Sequence, residues 1–259
     1  MLLFVGGVLL SLQEFRGAAL PYSKFAGRQQ KILQLPSKIG MLMFYLPAAL
    51  LCSAFLLHKL EYFDAPTASL RIVLVSAAMT LHFVKRVLEV NFLHEYTGTI
   101  CGVTSMLVSL TFALLSLNLF YAQEIAEAMC YQPTYNTMWL GVVVFMVGIV
   151  GNFYHHCILA RIRNSAEGLA ATARRDSITT KKYIVPHGGL FDKVACPQYL
   201  FEIGTFIGIS MISQTTMSLA CAVFVMLYLT ARSFSTRDWY VQKLEGFPKT
   251  RKALIPNVL

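Results

Sequence analysis

The chain has 259 residues and few charges for that length: 22 Lys and Arg with 13 Asp and Glu make up 14% of it, whereas soluble globular domains carry about 25%. Hydrophobic residues account for 56%, which excludes a disordered chain and, with so little charge, argues strongly against a soluble enzyme. The composition predicts a multi-pass membrane protein that crosses the bilayer as helices.

The net charge of +9 does not indicate a nucleic-acid partner, because the basic residues lie in loops between apolar runs rather than along one soluble face. The six cysteines are scattered singly and form no C-x-x-C pair. A disulfide framework and a structural zinc site are therefore not expected.

Hydropathy predicts an all-α fold with seven membrane spans. The first run lacks a basic segment and a small-residue cleavage site, so we interpret it as a helix rather than a signal peptide. The predicted spans are 1–14, 40–58, 68–93, 101–121, 137–160, 194–213 and 214–232.

Loop charges predict the orientation of these spans. Lys and Arg are concentrated between the first and second spans, between the fifth and sixth, and after the seventh, whereas the loop after the fourth has Glu124 and Glu127 and no basic residue. The positive-inside rule then places the N-terminus in the lumen and the C-terminus in the cytosol. The stretch 164–182, rich in Ser, Thr, Ala and Arg, is predicted to be a flexible cytosolic loop.

Polar residues inside the spans lie at the predicted cytosolic ends, where we expect a pocket that a charged ligand enters from the cytosol and a lipid from the bilayer. In the third span, offsets of three, four and seven place four of them on one helical face, where either a functional site or a Lys/Arg–Glu pair joining helices would fit. These polar residues are His82, Lys85, Arg86, Glu89, Asn152, His155, His156, Cys196, Gln198, Tyr199 and Glu202.

Two chemistries can be compared for such a pocket. A di-metal lipid hydroxylase needs repeated histidine boxes, but only His155 and His156 are adjacent, and neighbours on a helix point about 100° apart. We therefore predict no metal. An anionic cofactor held by Arg and Lys, with amide, Tyr and Glu side chains adding directional hydrogen bonds, fits the composition better.

Three segments resemble, in order and spacing, the C-terminal half of the steroid 5α-reductase family: GNFYHHCILARIR, YIVPHGGLFDKVACPQYLFEIG and RSFSTRDWYVQKLEGFPKTRKALIPNVL. Weaker agreement extends upstream through LHFVKRVLEVNFLHEY to LPYSKF. The resemblance implies a seven-helix membrane reductase that uses NADPH to reduce activated carbon–carbon double bonds.

The resemblance also assigns residues to the cofactor. It places Asn152 and Arg163 around the NADPH phosphates and nicotinamide, and Glu202 on the nicotinamide amide. Gln198 stands where the family usually has Asn, Thr236 where many members have His, and His156 replaces an Asp of the steroid enzymes. The full predicted set for NADPH is Asn152, Arg163, Tyr183, Gln198, Glu202, Arg232, Tyr240 and Arg86.

At the substrate end, Tyr45 and Phe83 occupy the positions of the Glu and Tyr that polarise the keto group in animal steroid enzymes. By resemblance, Tyr199 occupies the position of the proton-donating tyrosine of very-long-chain trans-2-enoyl-CoA reductases. The alternative interpretation of Tyr199 is an aromatic residue at the membrane interface. We predict Tyr199 as the catalytic donor, with Tyr45 as its substitute, and assign Lys85 and His82 to substrate binding.

The favoured function is therefore reduction of trans-2-enoyl-CoA in the endoplasmic reticulum membrane, with a lipid substrate and fatty-acid elongation enzymes as candidate partners. Residues 1–100 would form the substrate side and residues 101–259 the NADPH-binding reductase part. The alternatives are a 3-oxo-steroid or polyprenol reductase, a membrane methyltransferase using S-adenosylmethionine, and a non-catalytic lipid-binding scaffold.

Overall fold

The computed structural model describes residues 33–61, 69–173 and 184–259, and these residues form a mostly helical protein. Two short strands, β1 (Gln34–Pro36) and β2 (Thr99–Cys101), accompany the helices. A π-helical turn, Glu89–Leu93, extends the second helix, and a 3-10 turn, Gly189–Asp192, precedes the fifth. The helices are α1 (Ser37–Glu61), α2 (Leu70–Leu88), α3 (Gly102–Ala128), α4 (Met138–Ala173), α5 (Pro197–Ser213) and α6 (Thr216–Lys243).

Four of these helices are long and apolar enough to cross a membrane: Ser37–Glu61, Gly102–Ala128, Met138–Ser165 and Thr216–Lys243. The other two coincide with predicted spans but fall short of that description, because α2 carries three cationic side chains within 19 residues and α5 has only 17 residues. The first predicted span, 1–14, lies outside the described residues.

The prediction of a loop from residue 164 onward is wrong for its first part, because α4 continues to Ala173. The segment NSAEGLAATA is rich in residues with high helix propensity, so the helix persists after its apolar run ends. Hydropathy detects where a chain becomes polar, and that point is not where this helix stops.

Helices α4 and α5 pack with their backbones close together. A Cβ atom built on Gly148 of α4 would lie 2.5 Å from the Thr205 backbone nitrogen, and one built on Gly208 of α5 would lie 2.4 Å from the Phe145 nitrogen. Small residues allow such close approach, which is common between membrane helices. This interface fixes α5 relative to α4, and both helices carry predicted site residues.

The two strands pair antiparallel, with Gln34 opposite Cys101 and Pro36 opposite Thr99. The pairing is extended by hydrogen bonds from the Ser37 nitrogen to the Gly98 oxygen (3.1 Å) and from the Gly102 nitrogen to the Leu33 oxygen (2.8 Å). It brings the starts of α1 and α3 to the same end of the bundle as the end of α2.

The opposite end is joined by Arg71, near the start of α2. Its Nη1 atom donates to the Ile212 carbonyl (2.6 Å) and to Gln214 Oε1 (2.7 Å), and Nη2 donates to Asn136 Oδ1 (3.2 Å). Gln214 has a φ of 54° between α5 and α6, and its Nε2 donates to the Tyr135 carbonyl (2.6 Å). One guanidinium thus links α2, the loop before α4, and the α5–α6 junction.

Candidate active site

A buried group of charges lies where α2 ends. Arg86 Nη1 is 2.5 Å from Glu89 Oε2, and Lys85 Nζ is 3.0 Å from Glu89 Oε1, while Glu89 is only 2% exposed. The Lys/Arg–Glu pairing considered from the sequence is therefore present, although it forms within one helix. Two cations against one buried carboxylate also leave positive charge to be balanced by other groups.

Helix α1 contributes Tyr45 to this group. Arg86 Nη2 donates to Tyr45 Oη at 2.9 Å, the guanidinium carbon lies 4.7 Å from the centre of the Tyr45 ring, and that ring stacks on Phe112 at 5.7 Å between centroids. Because the phenolic oxygen accepts a hydrogen bond from a cation, the O–H group becomes a stronger donor. The Tyr45 hydroxyl can therefore donate a strong hydrogen bond to a carbonyl oxygen.

Helix α4 contributes Asn152 and His156. The Asn152 Nδ2 donates to the Gln198 carbonyl at 2.9 Å, and its Oδ1 accepts from Lys85 Nζ. His156 Nδ1 lies 2.8 Å from Arg86 Nη1 and 3.0 Å from Glu89 Oε2. A single nitrogen can either accept from Arg86 or donate to Glu89, so the imidazole tautomer determines which contact is a hydrogen bond.

Helix α5 presents Gln198 and Glu202 one turn apart. Glu202 Oε1 is 3.5 Å from His82 Nε2. Within the described residues, Gln198 Oε1, Glu202 Oε2 and His82 Nδ1 are buried atoms without a hydrogen-bond partner. Since buried polar atoms are normally paired, two orphaned acceptors on adjacent turns indicate that a ligand with N–H donors belongs here.

Tyr199 and Tyr240 lie in a second group, close to the C-terminal segment. They pack with Trp239 around the buried apolar side chains Ala195, Cys196, Leu244 and Phe247. Tyr199 follows Gln198 on α5 and is therefore rotated about 100° from it around the helix axis. Two tyrosines were predicted as donors. Tyr45 lies in the charged group, whereas Tyr199 packs in the second group.

The two predicted cofactor residues of α6, Arg232 and Tyr240, lie eight residues apart on one side of the helix, with Thr236 between them. Arg232 and Thr236 are both buried, and Tyr240 follows one turn later. Across the residues that the structure describes, Thr236 Oγ1 has no hydrogen-bond partner. Arg163 lies in the C-terminal part of α4, where its Nη2 donates to Thr97 Oγ1 at 2.9 Å. Tyr183 is outside the described residues.

Arg251, which follows α6 and is not among the predicted site residues, is buried, with 9% of its surface exposed. Its Nη1 donates to the Pro186 carbonyl at 2.8 Å, its guanidinium lies 5.0 Å from the centre of the Phe247 ring, and its carbonyl accepts from Arg237 Nε at 2.7 Å. Burial lowers the pKa of Arg251. Arg251 lies within the segment RSFSTRDWYVQKLEGFPKTRKALIPNVL, so the family resemblance of that segment was the sequence signal that could have identified it.

Three potential metal ligands, Glu89, His94 and His156, have ligand atoms within 4.8 Å of one another. Arg86 already contacts both Glu89 Oε2 and His156 Nδ1, so a metal ion would have to displace a guanidinium and lie beside Lys85. The arrangement favours the internal ion pairs over a divalent cation.

A family model, that of 3-oxo-5-alpha-steroid 4-dehydrogenase, matches residues 99–259. The chain belongs to this family. The match covers more than half of the chain and includes β2 and α3 to α6, and it confirms the family resemblance of the three sequence motifs.

Individual relatives agree with this membership. Polyprenal reductase 1 of Oryza sativa subsp. indica is 32% identical over 47% of the chain and 32% of its own length. The 3-oxo-5-alpha-steroid 4-dehydrogenase 2 of Sus scrofa is 34% identical over 46% of the chain and 42% of its own length, and the steroid 5-alpha-reductase DET2 of Solanum lycopersicum is 32% identical over 45% and 40%. The chain thus spans less than half the length of these relatives, and none of the three names refers to an enoyl-CoA.

Proposed function

We propose that the protein is an NADPH-dependent membrane reductase of a carbon–carbon double bond conjugated to a carbonyl group. The observation that carries this proposal is the convergence of Tyr45, Arg86 and Asn152 with the orphaned acceptors of Gln198 and Glu202. Four helices, α1, α2, α4 and α5, supply these groups. The family membership supports the same reaction class.

The residues fit the nicotinamide end of the cofactor by their chemistry. A carboxamide NH2 group offers two donors, and Gln198 Oε1 and Glu202 Oε2 are two buried acceptors in need of them. Arg163, Arg232 and Tyr240 remain predicted cofactor-binding residues. When bound, NADPH supplies the hydride.

Tyr45 acts at the substrate carbonyl in this mechanism. Its hydroxyl donates a hydrogen bond to the carbonyl oxygen, where negative charge accumulates as the double bond is reduced. Arg86 donates a hydrogen bond to the same phenolic oxygen, and Phe112 stacks on the Tyr45 ring and contacts Phe83. The enolate is completed to the saturated product by a proton that water delivers to the α-carbon.

The substrate that fits these features best is a linear isoprenoid with an α,β-unsaturated aldehyde, as the name of the polyprenal reductases suggests. Phe83 and Tyr45 replace the keto-polarising pair of the steroid enzymes, which argues against a steroid. An enoyl thioester remains an alternative, because Tyr199 matches the donor of the enoyl-CoA branch.

We further propose a seven-span topology in the endoplasmic reticulum membrane, with the N-terminus in the lumen and the cofactor site at the cytosolic face. In this arrangement residues 1–100 form the substrate side and residues 101–259 the reductase part. The charge distribution of the loops supports this orientation.

The test is a cofactor titration followed by a substrate panel on the full-length protein in detergent or microsomes. We expect NADPH to bind and to be consumed with a polyprenal, and more slowly with progesterone or a long trans-2-enoyl-CoA. Absence of NADPH binding would contradict the proposal and favour the lipid-binding scaffold, whereas binding of S-adenosylmethionine would favour a methyltransferase.

A further inference from the structure

His155 points away from the charged group and contacts the turn formed by residues 186–192. Its Nδ1 lies 2.7 Å from the Gly151 carbonyl, one helical turn earlier on α4, and its Nε2 lies 3.3 Å from the Leu190 backbone nitrogen. A carbonyl can only accept and a backbone N–H can only donate. His155 is therefore a neutral imidazole with its proton on Nδ1.

The ring is held in this orientation by aromatic contacts. It stacks on Phe201 of α5, with 5.1 Å between centroids and 20° between planes, and meets the edges of Phe191 and Tyr154. Gly189 approaches so closely that a Cβ there would lie 3.2 Å from His155 Nε2, at a φ of 56° that side chains rarely adopt. The turn is thus shaped to fit against this imidazole.

The 186–192 turn connects two parts of the candidate site. It follows the predicted cofactor residue Tyr183, and its Pro186 carbonyl accepts from buried Arg251. Gly188 N donates to Asp192 Oδ1 at 2.9 Å, which makes the turn a compact unit. A shift of this unit would therefore move the surroundings of Arg251 and the segment leading to α5.

We propose that His155 is a positioning residue for the cofactor site: its Nε2 accepts from Leu190 and holds the 186–192 turn against α4. The role rests on the proposed function, since it serves NADPH binding. Within the described residues, His155 contacts Gly151, Leu190 and the three aromatic rings. The hydrogen bond from Leu190 depends on direction, whereas apolar packing does not.

Two substitutions separate the hydrogen bond from the packing of the ring. His155→Phe keeps an aromatic ring on Phe201 and removes the acceptor, whereas His155→Gln loses the ring and can place Oε1 near the former Nε2. We expect His155→Phe to raise the Kd for NADPH about five- to tenfold with little change in kcat, and His155→Gln to stay within about twofold of the wild type.

Amide hydrogen exchange at Leu190 provides a readout that needs no cofactor. In the full-length protein in detergent, we expect Leu190 to be protected in the wild type and in His155→Gln, and to exchange faster in His155→Phe. Thermal unfolding of each variant checks that it folds.

The opposite ranking, with His155→Phe like the wild type and His155→Gln impaired, would show that only packing matters and would overturn the proposal. Equal Kd values in all three proteins would overturn it as well. If instead the wild type binds no NADPH, the proposed function itself fails, and the cofactor titration alone reveals that.

Discussion

Arg86 contacts groups from three helices through one guanidinium: Tyr45 on α1, Glu89 at the end of α2, and His156 on α4. Buried charges are tolerated only when they are paired and hydrogen-bonded, and these contacts supply that compensation. A lysine could not reproduce them, because its ammonium is a point charge without the planar fork. The residue therefore acts as a support for Tyr45 as well as a cation.

Tyr45→Phe should separate catalysis from binding. The variant keeps the ring that stacks on Phe112 and removes the hydroxyl that would donate to the substrate carbonyl. We expect kcat to fall about 100-fold or more, the usual contribution of a positioned acid, while the Kd for NADPH changes less than about twofold. Steady-state kinetics with the preferred substrate and a cofactor titration measure both quantities.

The matched variant is Tyr199→Phe, because Tyr199 is the donor that the sequence favoured. Its place in the second group, with Tyr240 and Trp239, leads us to expect the smaller loss of kcat. If Tyr199→Phe abolishes turnover and Tyr45→Phe does not, the two tyrosines have exchanged roles and the mechanism above is wrong.

Helices α4 and α5 owe their close packing to glycine. The Cβ of Gly148→Ala would lie 2.5 Å from the Thr205 nitrogen, a backbone atom that cannot rotate away. The helices would have to separate, and the hydrogen bond from Asn152 to the Gln198 carbonyl would lengthen with them. We expect a loss of about 2 kcal/mol in unfolding free energy and weaker NADPH binding, measured by thermal unfolding and titration.

Gly204→Ala is the control for this prediction. Gly204 lies in the same interface, but a Cβ there would be 3.8 Å from the Gly148 Cα, an ordinary contact. We expect this variant to be neutral or slightly stabilised, since alanine is the better helix former. Equal destabilisation by both substitutions would mean that the helices do not pack as described.

Helices were the predictable part of this fold, because each apolar run is long enough to identify by hydropathy. The strands β1 and β2 were missed because three residues are too few to show an alternating pattern. For the candidate site, the motif resemblance predicted Asn152, Gln198 and Glu202, and the structure places Asn152 within hydrogen-bond distance of the Gln198 carbonyl. The contact between Arg86 and Tyr45 could not be foreseen, since it depends on how α1 and α2 are placed side by side.

Polar networks occupy both ends of the bundle, and α2 belongs to each of them. Arg71 lies near its start, with Gln214 and Asn136, while Lys85 and Glu89 lie near its end. Because α1 and α3 begin at the end of the bundle where α2 finishes, the orientation of one helix determines that of its neighbours. The proposed topology can therefore be tested at one position.

Cys130, just after α3, is an exposed cysteine, whereas the other five are buried or half-buried. The proposed orientation places it in the lumen. In sealed microsomes we expect a membrane-impermeant maleimide to label Cys130 only after the membrane is permeabilised. Mass spectrometry or a gel shift measures the labelling.

The control carries Cys130→Ser together with Glu245→Cys, at an exposed position beyond α6. This variant should be labelled in intact microsomes, because residue 245 lies on the cytosolic side in the proposed topology. Labelling of Cys130 in intact vesicles, with protection at position 245, would reverse the orientation and place the cofactor site in the lumen.

The pairing of β1 with β2 has a consequence for how the chain is assembled during synthesis. Ser37 Oγ donates to the Thr97 carbonyl across 60 residues of sequence. In the proposed topology, β1 is therefore made before α1 and α2 and can pair with β2 only after both helices have been inserted. In that topology β2 reaches β1 only if α1 has crossed the bilayer and α2 has returned to the same face. The hydrogen bonds between β1 and β2 would therefore form when α1 and α2 are inserted in the proposed orientation, and would not form when either helix is inserted the other way round.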